Sequence, residues 1–108
     1  MAAERLFPVA ELTPGTMRLV WPSGRAILVV NSGGTIYAVD GVCTHEYCEL
    51  DRGFLSPASV AVPTLTCPLH LSRFDLGTGE ALDPPAAVPL GVHRVSVDAE
   101  GWLLLHGD

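Results

Sequence analysis

Two short boxes carry the side chains most able to do chemistry: Cys43-Thr44-His45 and Cys67-Pro68-Leu69-His70. Each pairs a thiol with an imidazole, and thiolate and neutral imidazole are ligands for soft and borderline metals. Two kinds of centre take two of each. One is a tetrahedral structural zinc site; the other is a two-iron, two-sulfide cluster in which two His replace two Cys on one iron. Zinc knuckles usually leave about two to four residues between paired ligands, and Cys-Thr-His leaves a single one. Cys48 makes the cysteine count three, too few for a disulfide scaffold, and Cys beside His in such a chain reads first as metal binding.

The rest of the chain must position these boxes. Its 108 residues suffice for one domain. Twelve acidic residues against six basic ones, all Arg, leave a net charge of −6. That balance repels phosphate and excludes nucleic acid as a partner. A hydrophobic content of 48% excludes disorder. Eleven Gly and nine Pro point to frequent turns rather than a helical bundle. The longest aliphatic run, Ala26 to Val30, falls far short of the ~20 residues of a membrane span. The opening residues, MAAERLFPVAE, lack the apolar core of a secretory signal, so a cytoplasmic protein is expected.

Met17 to Trp21, Ala26 to Val30 and Thr35 to Asp40 are rich in β-branched and aromatic residues and read as strands. Asn31-Ser32-Gly33-Gly34 is a hairpin signal between the last two. In Thr35 to Asp40, Ile36 and Ala38 face one side while Tyr37 and Val39 face the other. Near the end, His93, Val95 and Val97 share a face opposite Arg94, Ser96 and Asp98, and Trp102 to Leu105 suits a buried strand. From Gly41 to Pro89 the periodicity fades and Pro, Gly, Cys and His accumulate. The expected class is all-β: a small antiparallel sandwich or barrel with a base of about 1–40 and 88–108. A loop-rich subdomain, about 41–87, holds all three cysteines. His93 and His106 are expected as ordinary satisfied or exposed strand residues, and Trp21 and Trp102 as core or rim aromatics.

The string Cys43-Thr44-His45, Cys67-Pro68-Leu69-His70, Arg73-Phe74-Asp75 and Thr78-Gly79 resembles the Rieske iron–sulfur proteins. The likeness continues through Pro84, Pro85 and Val88-Pro89-Leu90, so it covers nearly the whole chain. It implies a Rieske fold and one 2Fe-2S cluster, with Cys43 and Cys67 holding the inner iron and His45 and His70 the outer one. Two thiolates in place of four leave the centre less negative, which raises its potential. The imidazoles have a proton to lose, so the potential is expected to fall at alkaline pH.

Departures from the respiratory members point to the soluble ferredoxin branch. Cys48 matches the first of two extra cysteines that lock their ligand loops, but the second falls at Leu69, so that disulfide cannot form. Phe74 stands where those proteins place a Tyr hydroxyl near the cluster, while Ser72 keeps the other hydroxyl. Hydrogen bonds to cluster sulfur favour the reduced state, so one donor fewer implies a lower potential. Leu71 replaces a Gly common after the second His, and its side chain would cover part of the cluster face or join a docking surface. The stretch Ser56 to Pro63 reads as an insertion.

By this resemblance the chain is an electron carrier rather than an enzyme. It would take electrons from an NAD(P)H-dependent flavin reductase and pass them to a terminal oxygenase, a ring-hydroxylating dioxygenase or a multicomponent monooxygenase. A transiently docking monomer is expected. Asp40, Glu46, Glu49 and Asp51, relieved only by Arg52, form either a solvated face or a rim that steers toward basic partners. The alternatives are the small subunit of a larger reductase, such as nitrite reductase, and a zinc-stabilised interaction module.

Overall fold

The computed structural model describes residues 3–43, 48–57, 62–68, 71–83 and 88–106. Nine strands run in chain order: β1 (Ala3–Pro8), β2 (Thr16–Val20), β3 (Ile27–Ser32), β4 (Thr35–Asp40), β5 (Phe54–Leu55), β6 (Thr64–Thr66), β7 (Arg73–Asp75), β8 (Val92–Val97) and β9 (Trp102–His106). Three single 3-10 turns are the only helical elements among the described residues. The first, second and third expected strands are shifted by about one residue or match outright.

Two antiparallel sheets result. The larger has the order β1-β9-β8-β4-β3-β2 and the smaller β5-β6-β7. The β3–β4 hairpin is tight because Gly33 and Gly34 both take positive φ, 60° and 95°, which glycine adopts without a Cβ clash. Asn31 secures the turn: its Oδ1 accepts the Gly34 N–H at 2.9 Å while its Nδ2 donates to the Leu12 carbonyl at 2.8 Å.

The large sheet curls until its two edge strands meet through side chains, with the Arg18 guanidinium of β2 over the Phe7 ring of β1 at 4.2 Å. Arg18 also pairs with Glu11 at 3.1 Å. Curling gives the sheet an inside, filled by Phe7, Leu12, Ile27, Val29, Ala38 and Leu103. The other face of the same strands presents Leu28, Val30 and Val39 to a second apolar cluster, shared with Leu65 and Phe74 of the small sheet. Burial on both faces explains why Ile27 to Val30 is continuously apolar instead of alternating. Ile36 and Ala38 do part from Tyr37 and Val39 as the alternation predicts, because each pair belongs to a different cluster.

The buried strand expected at Trp102 to Leu105 is buried only at Leu103, with Trp102, Leu104 and Leu105 half-buried. Val97 is 50% exposed although it shares a face with half-buried Val95. Trp21 is 55% exposed and so sits on the rim, while half-buried Trp102 lies under the Arg5 guanidinium at 5.2 Å. His106 Nε2 and Ser96 Oγ are 2.7 Å apart, a satisfied strand histidine as expected.

Candidate metal centre

The cysteine of each box stands on a stem of paired backbone. After β4, residues 41–43 run antiparallel to 48–50. The Cys43 N–H donates to the Cys48 carbonyl (3.0 Å), the Leu50 N–H to the Gly41 carbonyl (2.9 Å), and Val42 bridges Glu49. This ladder closes the loop that carries Thr44 and His45. After β6, the Cys67 N–H donates to the Ser72 carbonyl (2.8 Å) and the Leu71 N–H to the Cys67 carbonyl (3.1 Å), so the second loop is closed at the mouth of the β6–β7 hairpin. His45, Leu69, His70, Pro84 and Pro85 lie outside the described residues.

Cys43 and Cys67 are 6% and 2% exposed and belong to one apolar cluster with Leu28, Leu50, Leu65 and Leu90. No disulfide joins any of the three cysteines. Cys48 is half-buried, its Sγ 3.8 Å from the Glu49 carbonyl, as an ordinary thiol would be. Ser72 is 1% exposed and Phe74 fully buried, paired with Leu65 across the small sheet. Among the described residues no buried side-chain nitrogen or oxygen lacks a hydrogen-bond partner. Two sulfurs buried in one apolar cluster and in no disulfide suit the thiolate half of such a centre, which is shielded from solvent. Among the described residues no three His, Cys, Asp or Glu side chains gather, which leaves this sulfur pair as the described half of the site.

Two features around the boxes carry no sequence signal. The first is Asp40, at the end of β4. Its Oδ1 accepts from His93 Nε2 (2.8 Å) and Arg25 Nη2 (3.2 Å), its Oδ2 from the Gly91 N–H (2.9 Å), and its own N–H donates to the Gly91 carbonyl (2.9 Å). The carboxylate therefore ties the strand entering the Cys43 loop to the segment returning toward β8. Burial raises its pKa, but the His93 hydrogen bond, the Gly91 N–H and the His93 and Arg25 charges together outweigh that and hold it below the ordinary carboxylate value. Asp40 is thus withdrawn from the acidic rim in which its sequence neighbours place it. The second is a bidentate pair: Arg73 Nε and Nη2 donate to the two carboxylate oxygens of Asp83, the latter at 3.2 Å. It fastens the 81–83 segment along β7, where the Leu82 N–H also donates to the Arg73 carbonyl.

Residues 4–96 match the model of the Rieske [2Fe-2S] domain. The chain belongs to that family. It is 34% identical over 91 residues to the 3-phenylpropionate/cinnamic acid dioxygenase ferredoxin subunit of Shigella flexneri, covering 84% of this chain and 81% of that one. It is 36% identical over 110 residues to sulredoxin of Sulfurisphaera tokodaii, covering 95% and 96%. The ferredoxin of carbazole 1,9a-dioxygenase from Nocardioides aromaticivorans superposes with a TM-score of 0.88 at 29% identity over the full length of both chains. A carbazole 1,9a-dioxygenase ferredoxin solved in complex with its oxygenase gives 0.85 at 31% identity, covering 98% and 94%. The Mycobacterium tuberculosis nitrite reductase small subunit shares the Rieske fold, with a TM-score of 0.84 at 21% identity over 96% and 93%. The all-β fold expected from the sequence is therefore the Rieske fold. Among the described residues no helix is long and apolar enough to cross a membrane.

Proposed function

We propose that this chain is a Rieske-type ferredoxin, a one-electron carrier with a single 2Fe-2S cluster held by Cys43, His45, Cys67 and His70. The observation that carries the reading is the burial of Cys43 and Cys67, each on its own backbone-paired stem, in one apolar cluster. The chemistry such a cluster supplies is the uptake and release of one electron. The chain's own residues hold and insulate it. The two stems orient the sulfurs, while Leu28, Leu65 and Phe74 keep water from them. Ser72 retains a hydroxyl beside the Cys67 stem and Phe74 offers none, which sets the potential below that of the respiratory proteins.

The strands of the large sheet come from 3–40 and 92–106 and those of the small sheet from 54–75. This supports a base that carries a cluster-binding subdomain of about 41–87. Like the dioxygenase ferredoxins it resembles, the chain would receive electrons from an NAD(P)H-dependent flavin reductase and deliver them to a terminal oxygenase, docking transiently as a monomer. It acts as the carrier, not the catalyst.

The decisive experiment is spectroscopic. The aerobically purified protein is expected to be coloured, with about two irons and two acid-labile sulfides per chain, and to give the electron paramagnetic resonance signal of mixed His/Cys ligation on reduction. Cys67→Ser should abolish both colour and signal. A colourless protein holding stoichiometric zinc would overturn the reading. His45 and His70, as neutral imidazoles, each have a proton to lose, so the potential should fall as pH rises into the alkaline range. A potential flat from neutral to strongly alkaline pH would refute their assignment.

A further inference from the structure

Gly53 is a glycine that its own dihedral angles do not require. Its φ of −81° and ψ of −166° are extended values open to any residue. What it lacks is room. A Cβ there would stand 2.2 Å from the Thr66 carbonyl oxygen, 3.3 Å from the Thr66 carbonyl carbon and 3.1 Å from the Leu50 carbonyl oxygen. All three are backbone atoms, so no side chain can swing aside to admit it.

Those atoms belong to the two cysteine stems. The Thr66 carbonyl shares its peptide unit with the Cys67 N–H, which donates to the Ser72 carbonyl at 2.8 Å. Leu50 ends the other stem. Its N–H donates to the Gly41 carbonyl, two residues before Cys43, and its carbonyl accepts the Gly53 N–H at 2.9 Å. Phe54 faces Thr66 across β5 and β6, so the residue before Phe54 lies against the peptide that leads into Cys67. Gly53 is therefore the point where backbone from the Cys43 side meets backbone of the Cys67 side. Opening the 2.2 Å contact to 3.0 Å moves one side by about 0.8 Å, several times the roughly 0.2 Å that metal–ligand distances tolerate. From this we infer that Gly53 is a positioning residue for the electron carrier: its missing side chain sets the separation at which Cys43 and Cys67 share one iron. The inference rests on the ligand assignment proposed above.

The test compares the native holoprotein with Gly53→Ala and with a control, Leu103→Val, which trims a buried side chain in the other apolar cluster, inside the curled sheet. Iron and acid-labile sulfide per chain, cluster bleaching rate, reduction potential and the electron paramagnetic resonance spectrum are read on each, with hydrogen exchange in β3 and β4. Gly53→Ala should keep the protection of β3 and β4. Its cluster should bleach roughly tenfold faster or be absent on purification, and any cluster retained should show a displaced potential and spectrum, since ligand geometry sets both. Leu103→Val should lower the thermal midpoint and leave potential, spectrum and bleaching native. A Gly53→Ala protein with native potential, spectrum and bleaching overturns the inference and leaves the carrier reading standing. Loss of protection in β3 and β4 also overturns it, by assigning Gly53 to the fold as a whole. So does an equal change of potential in Leu103→Val, because the potential would then merely follow stability. A native protein that holds zinc and no iron overturns the carrier reading, and this inference with it.

Discussion

Asp40 shows how a single residue acquires its role from partners distant in sequence. Its carboxylate gathers donors from two segments distant in sequence, Arg25 on one and Gly91 and His93 on the other. Removing an acceptor from three donors leaves at least one of them under-satisfied, at about 1–3 kcal/mol. Asp40→Asn should therefore lower the midpoint of denaturant unfolding at neutral pH without changing the slope. The pH dependence has a definite sign. A carboxyl whose folded pKa is depressed stabilises the fold above its unfolded value, near 4, and that stability is lost as pH falls through the lower folded value. The difference between native and Asp40→Asn should shrink in acid, and a constant difference from pH 7 to pH 3 would refute the assignment. Nothing in the local sequence announces this, since Asp40 reads as one more acid of a crowded loop until the fold brings His93 and Gly91 to it.

At the scale of elements, the connection leaving β7 turns at a backbone position that only glycine fits. Gly79 has φ of 79°, and a Cβ there would stand 2.0 Å from the Leu90 carbonyl oxygen. The same pair is joined in the other direction, the Leu90 N–H donating to the Gly79 carbonyl at 2.8 Å. Gly79→Ala thus combines left-handed strain with a backbone clash, each mechanism worth about 1–3 kcal/mol. It should unfold the 76–90 stretch before the base sheet. Hydrogen exchange would show lost protection at Leu90 and retained protection in β3 and β4, and equal loss in both would refute it. Strands β2, β3, β4, β8 and β9 were legible, because hydrophobic period and turn residues are local signals, whereas β1, with its mixed AERLFP sequence, and β5 to β7, two or three residues each, show no such period. The ladder pairing 41–43 with 48–50 was not, because Pro- and Gly-rich segments carry no period, and their pairing follows from which carbonyls remain unsatisfied.

Across the whole molecule, charge is unevenly divided. With Asp40 engaged by Arg25 and His93, the acids that remain beside the first box in the sequence are Glu46, which lies outside the described residues, Glu49 and Asp51. Steering by such a rim acts over about 10 Å at 0.1 M salt and fades as salt rises. Neutralising Glu46 and Glu49 to Gln should slow electron transfer with a protein partner several-fold at low ionic strength and little at high. Equal slowing under both conditions would reject steering.

The two Cys-His boxes, read together with Arg73-Phe74-Asp75 and Thr78-Gly79, made the family legible from sequence, while the boxes alone left zinc and a two-iron cluster both open, because ligand identity and box spacing are properties of residue type and chain order. The identity of β2, β3, β4, β8 and β9 followed for the same reason. Burial of Cys43 and Cys67 in a common cluster, the gathering of donors on Asp40, the pairing of Arg73 with Asp83 and the left-handed backbone of Leu71 belong to the tertiary structure alone. Each depends on contacts between segments that the chain separates and only the closed hairpins and curled sheet bring together. No local pattern encodes which distant carbonyl, carboxylate or side chain will be the partner.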